Sequence, residues 1–155
     1  MATEKNTKKG KRTKELKTRQ IVAINNILSR VNILGLDKDT QIAILRIGMI
    51  VKPHAQAFDE YQKDAVNRLK PQDYDQLEEK QSQLDTLPPE ERASVTAAIT
   101  AFNRSILPIL DAQLDKTVTL QYDAIPVLSL ESVAEIGSNN KIPVSELLLI
   151  HEATV

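Results

Sequence analysis

"IAILRIGMIVKPHAQAFDEYQKDAVNRL", residues 42 to 69, decides how the chain is read. Its apolar residues recur every three or four positions, the spacing of one helix face, yet Pro53 sits inside it. Ile42, Leu45 and Met49 form one stripe; Phe58, Tyr61, Ala65 and Leu69 form another about half a turn out of phase. A proline inside a helix removes one backbone hydrogen bond and crowds the preceding turn, at a cost of about 3 kcal/mol, and bends the helix. A fresh start at Pro53 is disfavoured because Val51 and Lys52 are poor N-caps. The reading is therefore one bent helix from Asp39 to Lys70, roughly 48 Å long. Asp37 or Asp39 stands where a carboxylate accepts from the unpaired amides of a first turn.

Upstream, Ile21, Ile24, Leu28 and Val31 predict an amphipathic helix over residues 14–33, stopped at "LGLDKD", where Gly35 takes a left-handed conformation. Downstream, Pro71 breaks the chain and opens a polar helix, "PQDYDQLEEKQSQLDTL". "TLPPEER" marks the next boundary, with prolines and then carboxylates in a first turn. A fourth helix, residues 89–114, carries Val95, Ile99, Phe102, Ile106 and Ile109, again with an internal proline, Pro108. Two long helices with matching prolines predict a hairpin. After Lys116 the period changes to two, and "TVTLQY" reads as a half-buried strand. "IPVLSL" reads as a second extended segment. "SLESVAEIG" reads as a short helix capped by Ser129 and ended by Gly137, "SNNK" as a turn, and "PVSELLLIH" as a last short helix.

The 155 residues suit one domain with a short appendage. Apolar residues make up 41% and aromatic ones 3%, so the core is expected to be built of Ile, Leu, Val and Ala. The absence of cysteine excludes disulfides, thiolate metal sites and thiol nucleophiles, and fits a reducing compartment. No secretory signal is legible at the N-terminus, and no run of about 18 apolar residues suggests a membrane span. The net charge of -1 hides an asymmetry. Residues 1–19 carry eight Lys and Arg against Glu4 and Glu15, a balance of +6, which leaves -7 for the rest. Such an arm, nearly free of apolar side chains, is expected to be disordered over residues 1–13.

Catalytic equipment is hard to find. His54 is followed by Asp59 and Glu60, but neither spacing places a carboxylate reliably on its face of the helix. It reads as a surface or rim histidine. The second histidine, His151, forms no metal-binding spacing with it. Asp37-Lys38-Asp39 and Asp73-Tyr74-Asp75 begin like calcium loops, but Ile42 and Glu78 stand where the sharp turn needs glycine. Glu78, Glu79, Glu90 and Glu91 read as a solvated face. No phosphate-binding glycine loop or nucleophile elbow is present. The arm, through Lys8, Lys9, Lys11, Arg12 and Lys14, offers the alternative of sequence-blind nucleic-acid binding. The two terminal helices have a helix-turn-helix outline, but Leu147, Leu148, Leu149 and Ile150 occupy the place of a reading face.

The order of segments resembles a family of small phage-encoded proteins of unknown function. The likeness is carried by a first helix, the stretch quoted above, "AFNRSILPILDAQLDKTVTL", "IPVLSLESV" and "IPVSELLLI", over about Leu16 to Ile150. It implies a helical pair followed by a strand and two short helices, and a virion component or head or tail assembly factor, without catalytic residues.

The reading is mainly α: a long proline-kinked antiparallel helical hairpin, an additional N-terminal helix and a small C-terminal α/β appendage. The expected divisions are a basic arm over 1–13, a helical hairpin domain over 14–116 and an appendage over 117–155 packed on it. The expected function is a non-enzymatic structural or interaction protein, cytoplasmic in a host cell or in a virion. No metal, cofactor, membrane or small-molecule substrate is expected. Ile47, Ile50 and Val51, with Leu147, Leu148 and Leu149, are expected to exceed what the hairpin buries and to meet a protein partner or a second copy.

Overall fold

The computed structural model describes residues 13–121 and 128–155. Along the chain run β1 (Thr13–Lys17), α1 (Thr18–Ser29), α2 (Lys38–Leu69), α3 (Tyr74–Ser82), a single 3-10 turn (Leu84–Thr86), α4 (Pro89–Leu114), β2 (Thr117–Gln121), α5 (Leu130–Asn140) and α6 (Val144–Thr154). The protein is mainly α, as its sequence predicts. Two compact units are present, one formed by residues up to Ala55 together with Thr117–Val155, the other by Gln56–Lys116. Helix α2 contributes residues to both.

In the first unit, β1 and β2 form a two-stranded antiparallel sheet, with Thr13 opposite Gln121 and Lys17 opposite Thr117. Both strands bury one leucine, Leu16 and Leu120, and leave the alternating side chains exposed. Here the sequence reading is corrected. Residues 14–17 belong to a strand, and the first helix starts at Thr18. "TKELK" has no strong preference of its own; it is recruited by β2, a partner more than a hundred residues away. Ile21, Ile24 and Ile27 of α1 enter the core, with Leu28 and Val31 packed at its edge. Residues 117–155, expected as an appendage, share this core with residues 13–55: Leu128, Val133, Ile136, Ile150 and Ala153 pack in one cluster with Ile44, Ile47 and Val51. The "IPVLSL" expectation lies largely outside the described residues, since only its last three residues are described.

Helix α2 begins where Asp37 accepts from the Thr40 amide at 2.9 Å and from the Thr40 hydroxyl at 2.6 Å. That bond satisfies an amide no helical carbonyl can reach. Gly35, at φ +88°, makes the preceding turn, a conformation that strains any residue with a Cβ. Side chains from α5 fix this loop. Asn139 donates to the carbonyls of Asn32 and Leu34, both at 2.9 Å, and Asn140 accepts from the Asn32 amide at 2.6 Å. "SNNK" is thus the end of a helix rather than a turn, and α5 closes at Lys141, which is left-handed at φ 53°. Gly137 does not end α5. A Cβ built there would lie 2.6 Å from Leu147 Cδ1, so this glycine lets α6 approach α5 closely. Ser129 caps α5 as expected, its hydroxyl accepting from the Ser132 amide at 3.1 Å.

The second unit contains a helical hairpin, the latter part of α2 against α4, with α3 between them in sequence. Its cluster is Ala65, Phe102, Ile106 and Leu110, with Tyr61, Val66 and Tyr74 packed around it. The Tyr74 and Phe102 rings stand 4.9 Å apart at a tilt of 58°. Among the described residues, Pro89–Leu114 is long and apolar enough to cross a membrane, by length and composition, with a mean hydropathy of 1.3 over its most apolar stretch. Only 22% of that stretch is buried.

Candidate interaction surface

The decisive feature is the phase of α2. From Lys38 to Phe58 the residues buried along it are Thr40, Ala43, Ile44, Ile47, Val51, Ala55 and Phe58, and Ala65 is buried further on. From Ile44 to Phe58 these lie within about 80° of one another around the helix axis, so one stripe runs unbroken past Pro53. Pro53 lies about half a turn from that stripe and is exposed. The carbonyl of Met49, which loses its helical donor to the proline ring, is on the solvent side, where water can satisfy it. By spacing alone, Ile42, Leu45 and Met49 form the expected stripe of this part of the helix, and Ile47, Ile50 and Val51 the expected surplus. The structure reverses this. Ile47 and Val51 are core residues and Ile50 packs against the core, whereas Ile42, Leu45 and Met49 are 40%, 55% and 75% exposed. Ile42, Leu45 and Met49 repeat as i, i+3 and i+7, and so do the buried Ile44, Ile47 and Val51, so periodicity alone does not choose between the two stripes.

Leu147 and Leu149 are partly buried and pack against the core, whereas Leu148 is exposed. Lys8, Lys9, Lys11 and Arg12 lie outside the described residues. Lys14 is in β1, and its Nζ donates to the carbonyl of Glu152. His54 is half-buried on α2, and His151 Nδ1 lies 3.1 Å from the Leu128 carbonyl. Asp37 serves as a cap, and the bonds from Thr40 hold its carboxyl down at about 2, below the usual carboxylate range. The Tyr74 phenol is pushed up by burial and by the neighbouring Glu78. An open cleft of about 560 Å³ beside it is lined by Asp59, Lys63, Lys70 and Glu78, a mixed-charge surface in the second unit. Among the described residues, no three His, Asp or Glu side chains converge as a metal site.

The stripe legible by spacing, Ile42, Leu45 and Met49, is the one the fold leaves outside. Ile42, Leu45 and Met49 occupy alternate seam positions of a heptad, about 10 Å in length along the axis. Lys38, Arg46 and Lys52 border them and are exposed. No family model, curated protein or solved structure matches the chain.

Proposed function

We propose that this chain is a non-enzymatic interaction protein that docks a helical partner on the outer face of α2. One observation carries the reading: three large apolar side chains at helical spacing stand exposed on the face opposite a completed core. Scattered surface leucines need no explanation, but a seam of Ile, Leu and Met in knobs-into-holes register is the shape of a helix-binding surface. The resemblance to small phage proteins gives such a role a setting, that of a virion component or assembly factor. The test is selection from a displayed library of amphipathic helices, with the Leu45→Asp chain as counter-target and light scattering to follow self-association. Enrichment of helices that bind the native chain and not the variant is expected. A native chain that stays monomeric and enriches no helix overturns the proposal. The charge asymmetry of residues 1–19 favours one second reading, nucleic-acid binding, which predicts a salt-sensitive gel shift lost on deleting residues 1–12, a cut that spares β1.

A further inference from the structure

The charges beside the seam go further and name the chemistry of the partner. Lys38 and Lys52 stand beside its two ends, and Arg46 flanks Leu45 and Met49; all three are exposed. Within residues 38–52 of α2, Asp39 is the one carboxylate. We infer that the outer face of α2 binds an amphipathic helix of another protein whose apolar seam is flanked by Asp and Glu. This rests on the docking reading above and adds the sign of the partner's charge.

Three physical points select this occupant. A basic border repels a basic partner and steers an acidic one, and flanking charges set partner choice in paired helices. A second copy is disfavoured because self-pairing brings three cations of one chain against three of the other, offset only by Asp39. A membrane surface is disfavoured because the stripe is narrow. Ile42, Leu45 and Met49 lie within about 60° around the axis, the width of a helix–helix seam, while a surface helix uses an apolar face of about 100° or more.

The experiment uses the full chain and two stapled helical peptides that share one Ile/Leu seam. One carries Glu at every flanking position and the other Lys. Fluorescence anisotropy is expected to show the Glu peptide binding about tenfold more tightly at low salt, with the ratio falling as salt screens the flanks. Combining Lys38→Glu, Arg46→Glu and Lys52→Glu should reverse the preference, and Leu45→Asp should remove binding of both. All four positions are exposed, and circular dichroism verifies that the variants keep their helix content. Equal binding of the two peptides, or tighter binding of the Lys peptide, overturns the charge assignment while Leu45→Asp still reports a docking seam. Binding of neither peptide overturns both readings. A dimer lost in Leu45→Asp, or binding to phosphatidylserine vesicles in place of either peptide, assigns the face to a second copy or to a membrane and overturns the inference.

Discussion

Truncating one residue from each face of α2 tests the phase assignment on which the functional reading stands. Ile47 is 3% exposed and sits in the larger core cluster, whereas Leu45 stands two residues away on the outer face. Ile47→Ala deletes three buried carbons, which at about 0.8 kcal/mol each removes about 2.4 kcal/mol of transfer free energy. The cavity left behind raises the loss to about 3 kcal/mol, within the range of about 2–5 kcal/mol for such truncations. Leu45→Ala removes a side chain that is more than half in water and replaces it with the best helix former, so its effect should stay within about 1 kcal/mol. With a urea dependence of about 1.5 kcal/mol per molar, the Ile47 variant loses about 2 M from its midpoint and the Leu45 variant less than about 0.7 M. Far-UV circular dichroism across a urea titration reads both. Equal losses, or a larger loss for Leu45→Ala, would refute the assignment and with it the exposed seam.

Other outcomes follow from single contacts. Asp37 binds its proton more weakly folded than unfolded, so its contribution to stability is complete above pH 4 and fades as pH falls towards about 2, the depressed folded value. Asp37→Ala should lower the thermal midpoint at neutral pH and flatten that acid limb, and an unchanged limb would reject the capping role. Gly137→Ala gains helix propensity of about 1 kcal/mol but meets Leu147, so it should be more favourable by about 1–2 kcal/mol in a Leu147→Ala background, measured as a double-mutant cycle. Asn139→Ala should cost about 1–2 kcal/mol and speed amide exchange over residues 32–36; protection equal to wild type there would show that the loop does not depend on this side chain. Glu146→Gln, by contrast, should change stability by less than about 0.5 kcal/mol in a thermal melt, because its 2.9 Å pair with Arg30 is exposed to solvent and screened.

Much of the fold was legible one segment at a time. The continuity of α2 through Pro53, the boundary before Pro89, the strand over residues 117–121 and the Ser129 cap all follow from local signals, namely spacing, proline position and cap chemistry. The candidate surface was legible only as a set of apolar residues, not as a face. Residues 42–51 offer two apolar stripes of equal period, and the reading chose the one that lay out of phase with Phe58. Requiring the stripe to continue past the proline would have selected Ile44, Ile47 and Val51, because these share a side with Ala55 and Phe58.

The sequence by itself determined the order of the helices, that α2 continues through Pro53, and that the core would be aliphatic. Tertiary structure alone decided which face of α2 turned inward, that β2 would capture residues 13–17, that Gly137 would admit Leu147, and that Asn139 would hold the loop before α2. The division has a physical cause. Propensity, capping and periodicity act within a turn or two of the chain, whereas burial, strand pairing and close helix approach depend on side chains that separate elements bring together, in the β1–β2 pair from about a hundred residues apart. A helix that is apolar on two sides has no inside until other segments fold onto it, and here they leave Ile42, Leu45 and Met49 uncovered.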